Sequence, residues 1–248
     1  MTGIIIQARI GSTRLPKKIT KSFFNDKGIF ELITEKILFF FPKIKIVVAT
    51  SVNPIDDEIE KLCQKIGVQC FRGSENNVLQ RFIDAAEKFN ISKIIRVCAD
   101  NPFLNMLALK NLIEYSTNSN ADYISYKTSL NKPSILTHYG LWAEYVSINA
   151  LLKVSKLTQD KFFTEHVTNF LYNNENLFDI DFILIPNSIE QHTNVRLTLD
   201  TLEDFLLLKE IYKNVSNIDI STEMLIQTVV KNEKWTEKMN KLIIQNAK

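Results

Sequence analysis

Four cations fall close together near the start of the chain: Arg9, Arg14, Lys17 and Lys18, with Lys21 just beyond and no acidic residue until Asp26. The whole chain carries a formal net charge of only +2, so this density of positive charge is local. Between the cations stand Gly11, which lets the backbone bend and approach a ligand, and Ser12 and Thr13, which add hydroxyl and amide donors. The apolar run Gly3-Ile4-Ile5-Ile6 comes just before and reads as a buried first strand. A strand that opens into a flexible, cationic, donor-rich loop suits a polyphosphate. A merely solvated basic loop is the plain alternative, but the end of a first strand is where α/β sheets hold ligands. The loop lacks the Gly-Lys-Ser/Thr ending of a P-loop and the three spaced glycines of a dinucleotide fingerprint.

Two carboxylates answer the loop. Asp100 ends the run Ile94-Ile95-Arg96-Val97-Cys98-Ala99 and precedes Asn101-Pro102, and Asp200 ends Val195-Arg196-Leu197-Thr198-Leu199. Both are expected at the mouths of strands, on the loop's edge of the sheet if those strands are parallel. A hard cation such as Mg²⁺ takes one or two carboxylates together with phosphate oxygens and water. Singly, Asp100 fits a turn, and Asp200 with Thr201 and Asp204 fits a helix cap. As a pair opposite a basic loop, they favour the metal.

The elements that must position these groups follow from periodicity. Lys45 to Thr50 reads as a second strand. Asn53-Pro54 with Asp56 and Asp57 starts a helix that carries Ile55, Ile59, Leu62 and Ile66 at helical spacing and ends at Gly67. Val68 to Phe71 is a third strand, Asn76 to Phe89 a helix, and Lys93 to Ala99 a fourth strand. This alternation implies right-handed βαβ units, hence an α/β fold with a mostly parallel sheet and helices on both faces. Further on, Asp122 to Tyr126 reads as a strand and Thr128 to His138 as a loop. Helices are predicted over Tyr145–Ser155 and Asp160–Asn173, strands over Ile180–Ile185 and Asn194–Leu199, and a helix over Thr201–Tyr212 before the terminal helices. The 248 residues fit a single domain, with room at about 127–193 for an inserted acceptor or dimerisation subdomain.

Composition narrows the class. Hydrophobic residues make up 45% and charged residues 23%, enough core for a globular enzyme. Apolar clusters such as Ile37 to Phe41 are too short to cross a bilayer, and no leader precedes the first strand, so a cytoplasmic location is expected. Cys63, Cys70 and Cys98 lack metal-ligand spacing. With net charge +2 and no extended basic face, neither nucleic acid nor membrane is an expected partner.

The segment Gln7-Ala8-Arg9-Ile10-Gly11-Ser12-Thr13-Arg14-Leu15-Pro16-Lys17-Lys18 resembles the opening of the cytidylyltransferase superfamily that makes CMP-linked acidic sugars. The resemblance is strongest to its branch named for spore-coat polysaccharide biosynthesis protein F. Lys17 stands where that family has glycine, and Lys18 holds its expected lysine. The resemblance extends to Phe71-Arg72-Gly73-Ser74-Glu75-Asn76-Asn77-Val78-Leu79-Gln80-Arg81-Phe82 and to the segments ending in Asp100 and beginning at Leu199-Asp200. It is weaker at Tyr139-Gly140-Leu141-Trp142-Ala143-Glu144 and at Thr164-Glu165-His166-Val167-Thr168, where Thr164 replaces an arginine.

That resemblance implies a three-layer nucleotidyltransferase fold, Rossmann-like and glycosyltransferase-A-like, working as a homodimer. CTP would be the donor and Mg²⁺ the cofactor. Ala8, Arg9, Gly11, Ser12, Thr13, Arg14 and Lys18 would hold the triphosphate, and Arg72, Gly73, Ser74, Arg81 and Asp100 the rest of the nucleotide. Asp100 and Asp200 would hold the metal, and Arg9, Arg14 and Lys18 would share catalysis with them. Tyr139, Gly140, Glu144, Glu165 and His166 fall on the acceptor side. The acceptor is an acidic sugar, or a sugar or polyol phosphate that would give a CDP-linked product. A metal-dependent glycosyltransferase is less well matched, since a sugar-nucleotide donor has no triphosphate needing so many cations. A non-catalytic nucleotide-binding scaffold would have no need of the metal pair.

Overall fold

Ile4, Ile5 and Ile6 are all fully buried on β1 (Thr2–Gln7) because both faces of the strand are covered, as a parallel central strand requires. The computed structural model describes residues 1–12, 14–215 and 221–246. Thr13 lies outside them. The sheet adds β2 (Lys45–Ser51), β3 (Gln69–Gly73), β4 (Lys93–Cys98), β5 (Tyr123–Lys127), β6 (Glu144–Ser147) and β7 (Ile180–Leu184). Its order is β3-β2-β1-β4-β6-β5-β7, and β6 is antiparallel to its neighbours β4 and β5. Gln7 is level with Ala49 on β2 and with Cys98 on β4, so the loops that leave these strands emerge on one edge.

The helices are α1 (Ile29–Phe40), α2 (Asp57–Ile66), α3 (Val78–Lys88), α4 (Met106–Asn118), α5 (Ile148–Leu157), α6 (Lys161–Glu165), α7 (Asn169–Tyr172), α8 (Asn187–Glu190), α9 (Leu202–Val215), α10 (Thr222–Val230) and α11 (Glu233–Gln245). Alternate strand residues feed two cores. Ile4, Ile6, Val48, Ile95 and Val97 pack with α1, α2, α4 and α9 to α11, and Ile5, Val47, Ile94 and Val146 pack with α3 and α5. Local signals set the ends of these elements. Asn53 and Asn77 accept hydrogen bonds from Ile55 and Gln80 at helix starts, and Gly67 ends α2 at φ +82°, a left-handed conformation that favours glycine.

Three expectations need correction, all in the second half. The predicted helix over 145–155 begins only at Ile148. Tyr145-Val146-Ser147 belong to β6, and the Ser147 hydroxyl caps α5 through the Ala150 amide. The predicted helix over 160–173 is two, α6 and α7, broken at His166-Val167-Thr168, where the Thr168 hydroxyl turns inward to Glu144. The predicted strand over 194–199 joins no ladder. Val195, Leu197 and Leu199 are buried on one side, but the amides of Leu197 and Thr198 both donate to the His138 carbonyl instead of to a strand. The stretch at about 127–193 supplies β6 to the middle of the sheet and β7 to its edge. Among the described residues no helix is long and apolar enough to cross a membrane.

Candidate active site

The basic loop leaves β1 at Ala8, whose amide donates to the Ala49 carbonyl. It is pinned from beneath by Asp56, a buried carboxylate that accepts from the Ile10 amide at 2.7 Å and from Ser51. Ser12 is half-buried, its hydroxyl accepting from the Leu15 amide, and Gly11 is exposed with open space where a Cβ would stand. Nothing among the described residues therefore demands glycine at 11. Lys17, by contrast, sits at φ +58°, the left-handed region, which is why glycine suits that place; its ammonium points outward to Glu58.

The loop faces the two aspartates directly. Lys18 Nζ lies 2.6 Å from Asp100 and 2.9 Å from the Leu199 carbonyl, and so bridges the two carboxylate segments. Arg14 Nη2 lies 2.8 Å from Asp200 Oδ1. Asp100 follows the end of β4. Burial works against its ionisation, but Lys18, a backbone hydrogen bond and Arg96 together outweigh it and hold the carboxyl below its ordinary range. Asp200 is held differently: its Oδ2 accepts from Arg196 at 3.0 Å, and its backbone amide donates to Asp204. Among the described residues no three His, Cys, Asp or Glu side chains could hold a metal by themselves. Asp100 and Asp200 fit a divalent cation only in company with phosphate oxygens and water, the way magnesium is usually held.

Between the aspartates opens a cavity of about 160 Å³ lined by Cys98, Asn101, Ser134, Thr137, Gly140, Trp142 and Thr198 among others. Gly140, at φ +62°, is wedged there: a Cβ would lie 3.0 Å from the Leu197 carbonyl oxygen and 3.2 Å from the Asn101 side chain. Burial pushes the Cys98 thiol up, so it stays protonated.

The remaining predicted residues divide. Arg9 pairs with Glu165 at 3.0 Å, both well exposed, which brings the C-terminal end of α6 against the loop. Burial holds His166 below the usual imidazole range, against the pull of Glu165. Arg81 is fully buried: Nη1 donates to the Ser74 carbonyl, while Nε and Nη2 have no partner among the described residues. Burial, reinforced by Arg9, draws its pKa down to about 10. Gly73 packs on the Arg81 stem, and the Ser74 hydroxyl accepts from the Asn77 amide.

Three residues are placed elsewhere than expected. Arg72 spends its donors on Asp57, Glu60 and the carbonyls of Ser51 and Asn53, tying β3 to α2. Tyr139 is buried, stacked edge-on against Trp142, with its hydroxyl on the Glu190 carbonyl. Glu144 is 2% exposed and receives Arg96, Tyr123 and Thr168. It is a structural anchor beneath the site. Arg196 was read only as part of a strand; a long cation inside an apolar run, four residues before one aspartate and eight before another, was the available signal.

The chain matches the cytidylyltransferase family over residues 3–245. It belongs to that family. It is 33% identical to the spore coat polysaccharide biosynthesis protein SpsF of Bacillus subtilis over 92% of this chain and 93% of the relative. A cytidylyltransferase structure from Leptospira borgpetersenii superposes with a TM-score of 0.83 at 30% identity, covering 95% and 96% of the two chains. The structure of CMP:2-keto-3-deoxy-manno-octonic acid synthetase complexed with CTP shares the fold, with a TM-score of 0.64 at 12% identity over 86% of this chain and 99% of that one. The protein is a nucleotidyltransferase with a seven-stranded, mostly parallel, Rossmann-like sheet.

Proposed function

We propose that this single-domain enzyme transfers CMP from CTP to an acidic sugar, releasing pyrophosphate, with Mg²⁺ as cofactor. The product would be an activated building block for a surface polysaccharide or glycan. The observation that carries the reading is the pairing of Lys18 with Asp100 and of Arg14 with Asp200, which sets a phosphate-type loop face to face with two carboxylates. Kinship with SpsF and with a synthetase bound to CTP supports the donor and the class of acceptor. The same kinship is the ground for expecting a homodimer in the cytoplasm.

In this scheme Arg9, Arg14 and Lys18 leave their carboxylate partners for the triphosphate and neutralise the departing pyrophosphate. Exposed ion pairs such as Arg9–Glu165 are weak, so exchanging them costs little. Asp100 and Asp200 would hold the cation, which when bound would polarise the α-phosphate. An acceptor oxygen in the cavity beside Gly140 attacks the α-phosphorus in line. Alignment and charge neutralisation do most of the work in such chemistry, with little covalent help from the protein.

The unpartnered edge of Arg81 supports cytosine. Nε–H and Nη2–H point the same way, and a buried donor pair without acceptors rewards any ligand that supplies two. Cytosine offers O2 and N3 as adjacent acceptors, whereas uracil presents N3–H and would oppose one donor. Arg81 is fully buried, so contact with the base requires the residues that cover its edge to move. A pyrophosphate-release assay crossing four nucleoside triphosphates with acidic sugars and with sugar or polyol phosphates tests the proposal. CTP with an acidic sugar should turn over fastest, and Arg81→Lys should narrow the gap between CTP and UTP. Turnover only with a phosphorylated acceptor would replace the acidic sugar, and no turnover with CTP would refute the donor.

A further inference from the structure

The two aspartates are anchored in different ways. Asp100 stands two residues after Cys98, which is in register with Gln7 of β1, so the parallel ladder fixes its place. Asp200 follows a segment that belongs to no ladder, and the sheet cannot fix it. What does reach it is Arg196, a side chain with no exposed surface. Arg196 grips Asp204 through two bonds, Nε at 2.7 Å and Nη2 at 2.9 Å, and contacts His138 Nδ1 through Nη1 at 2.7 Å. The Arg196–Asp204 pair is already charge-balanced, so the further bond from Nη2 to Asp200 Oδ2 is not needed to neutralise it. Asp204 in turn accepts from the amides of Asp200 and Thr201, which fixes the backbone at the same point. The clamp occupies Oδ2 and leaves Oδ1 turned to Arg14 of the basic loop.

We propose that Arg196 is a positioning residue for catalysis: backed by Asp204, it holds the Asp200 carboxylate in the one orientation that presents Oδ1 to the metal and the nucleotide. This rests on the assignment of Asp200 as a metal ligand made above. A bidentate guanidinium spanning two carboxylates is not replaced by an ammonium, which is a point charge without the planar fork. Arg196→Lys keeps the charge beside Asp204 and releases Asp200.

Two measurements test it. In a melting experiment, wild type should be shifted upward by CTP and further by adding Mg²⁺. Arg196→Lys should keep the shift from CTP alone and lose most of the extra shift from Mg²⁺, with ligand-free melting little changed. In turnover, kcat should fall on the order of 100-fold, the scale of a misplacement of about 1 Å, while KM for CTP stays near wild type. The same substitution in an Asp200→Asn background should cost almost nothing further, since both act through one carboxylate. If Arg196→Lys is too unstable to purify, Asp204→Asn is read by the Mg²⁺-dependent shift alone: it removes the backing carboxylate, lowers ligand-free melting and leaves Arg196 to pair with Asp200, so the extra shift from Mg²⁺ should again be lost. A full Mg²⁺-dependent shift in the variant, or an equal rate loss in both backgrounds, overturns the proposal. No Mg²⁺-dependent shift in wild type would instead refute the metal assignment beneath it.

Discussion

The proposed donor side and acceptor side of this site are built on opposite plans. Around the basic loop, Arg9, Arg14 and Lys17 are exposed, and each has one carboxylate partner. On the acceptor side, the residues that look most chemical in sequence are tied to one another inside the protein. Glu144 holds Arg96, Tyr123 and Thr168, and Arg196 holds Asp200 and Asp204. The difference teaches that a charged motif residue next to a site can serve as framework, and that burial with paired partners is what tells the two apart. Arg9, Arg14 and Lys17 stay in water and are cheap to release, Lys18 is partly withdrawn between Asp100 and the Leu199 carbonyl, and Glu144 and Arg196 are removed from water and held by several partners.

The widest separation between the two plans should come from stability. Glu144→Ala leaves the Arg96 guanidinium buried without its counter-ion and should destabilise the fold by about 3–5 kcal/mol in urea unfolding. Arg9→Ala breaks an exposed pair and should cost less than about 1 kcal/mol. Similar values for the two would erase the contrast.

Next in size is a contrast within the loop. Lys18→Ala removes a charge-assisted bond to phosphate and should slow turnover by the equivalent of about 2–4 kcal/mol. Lys17→Ala, whose ammonium faces Glu58 and solvent, should leave the rate near wild type in the same assay. Equal losses would mean that the register of the loop is misplaced.

The smallest effect should be a gain. Lys17→Gly relieves a left-handed backbone that costs a side-chain-bearing residue roughly 1–2 kcal/mol, offset in part by the greater freedom of glycine in the unfolded chain. A net rise in stability below about 1 kcal/mol is expected from thermal melting. A loss would show that the Lys17–Glu58 pair matters more than the strain.

The donor half was legible in sequence because its signals are local. Uninterrupted Ile and Val runs mark strands buried on both faces, and Asn53, Pro54 and Gly67 punctuate a helix within a few residues. The acceptor half depends on contacts between distant residues. The apolar run at Val195, Leu197 and Leu199 reads as a strand, but the same burial arises here from cover by the loop at His138, with Arg196 buried between them. The helix break at Thr168 depends on Glu144, twenty-four residues earlier in the chain, and no local rule announces it. Arg72 and Glu144 read as ligand contacts from their motifs, and only the fold brings Asp57 and Glu60 to the one and Arg96 and Tyr123 to the other.

The central claim is that Asp100 and Asp200 act together as a metal pair opposite the basic loop, and turnover of CTP by Asp100→Asn, Asp200→Asn and the double variant tests it most directly. Asparagine keeps the size of aspartate and caps helices as well, so a turn or cap role would survive the change. A metal role would not survive it. Each single variant should lose on the order of 100-fold or more in rate, with ligand-free melting close to wild type and the double variant little worse than either single. Turnover within a few-fold of wild type in both single variants would contradict the metal pair and the mechanism built on it.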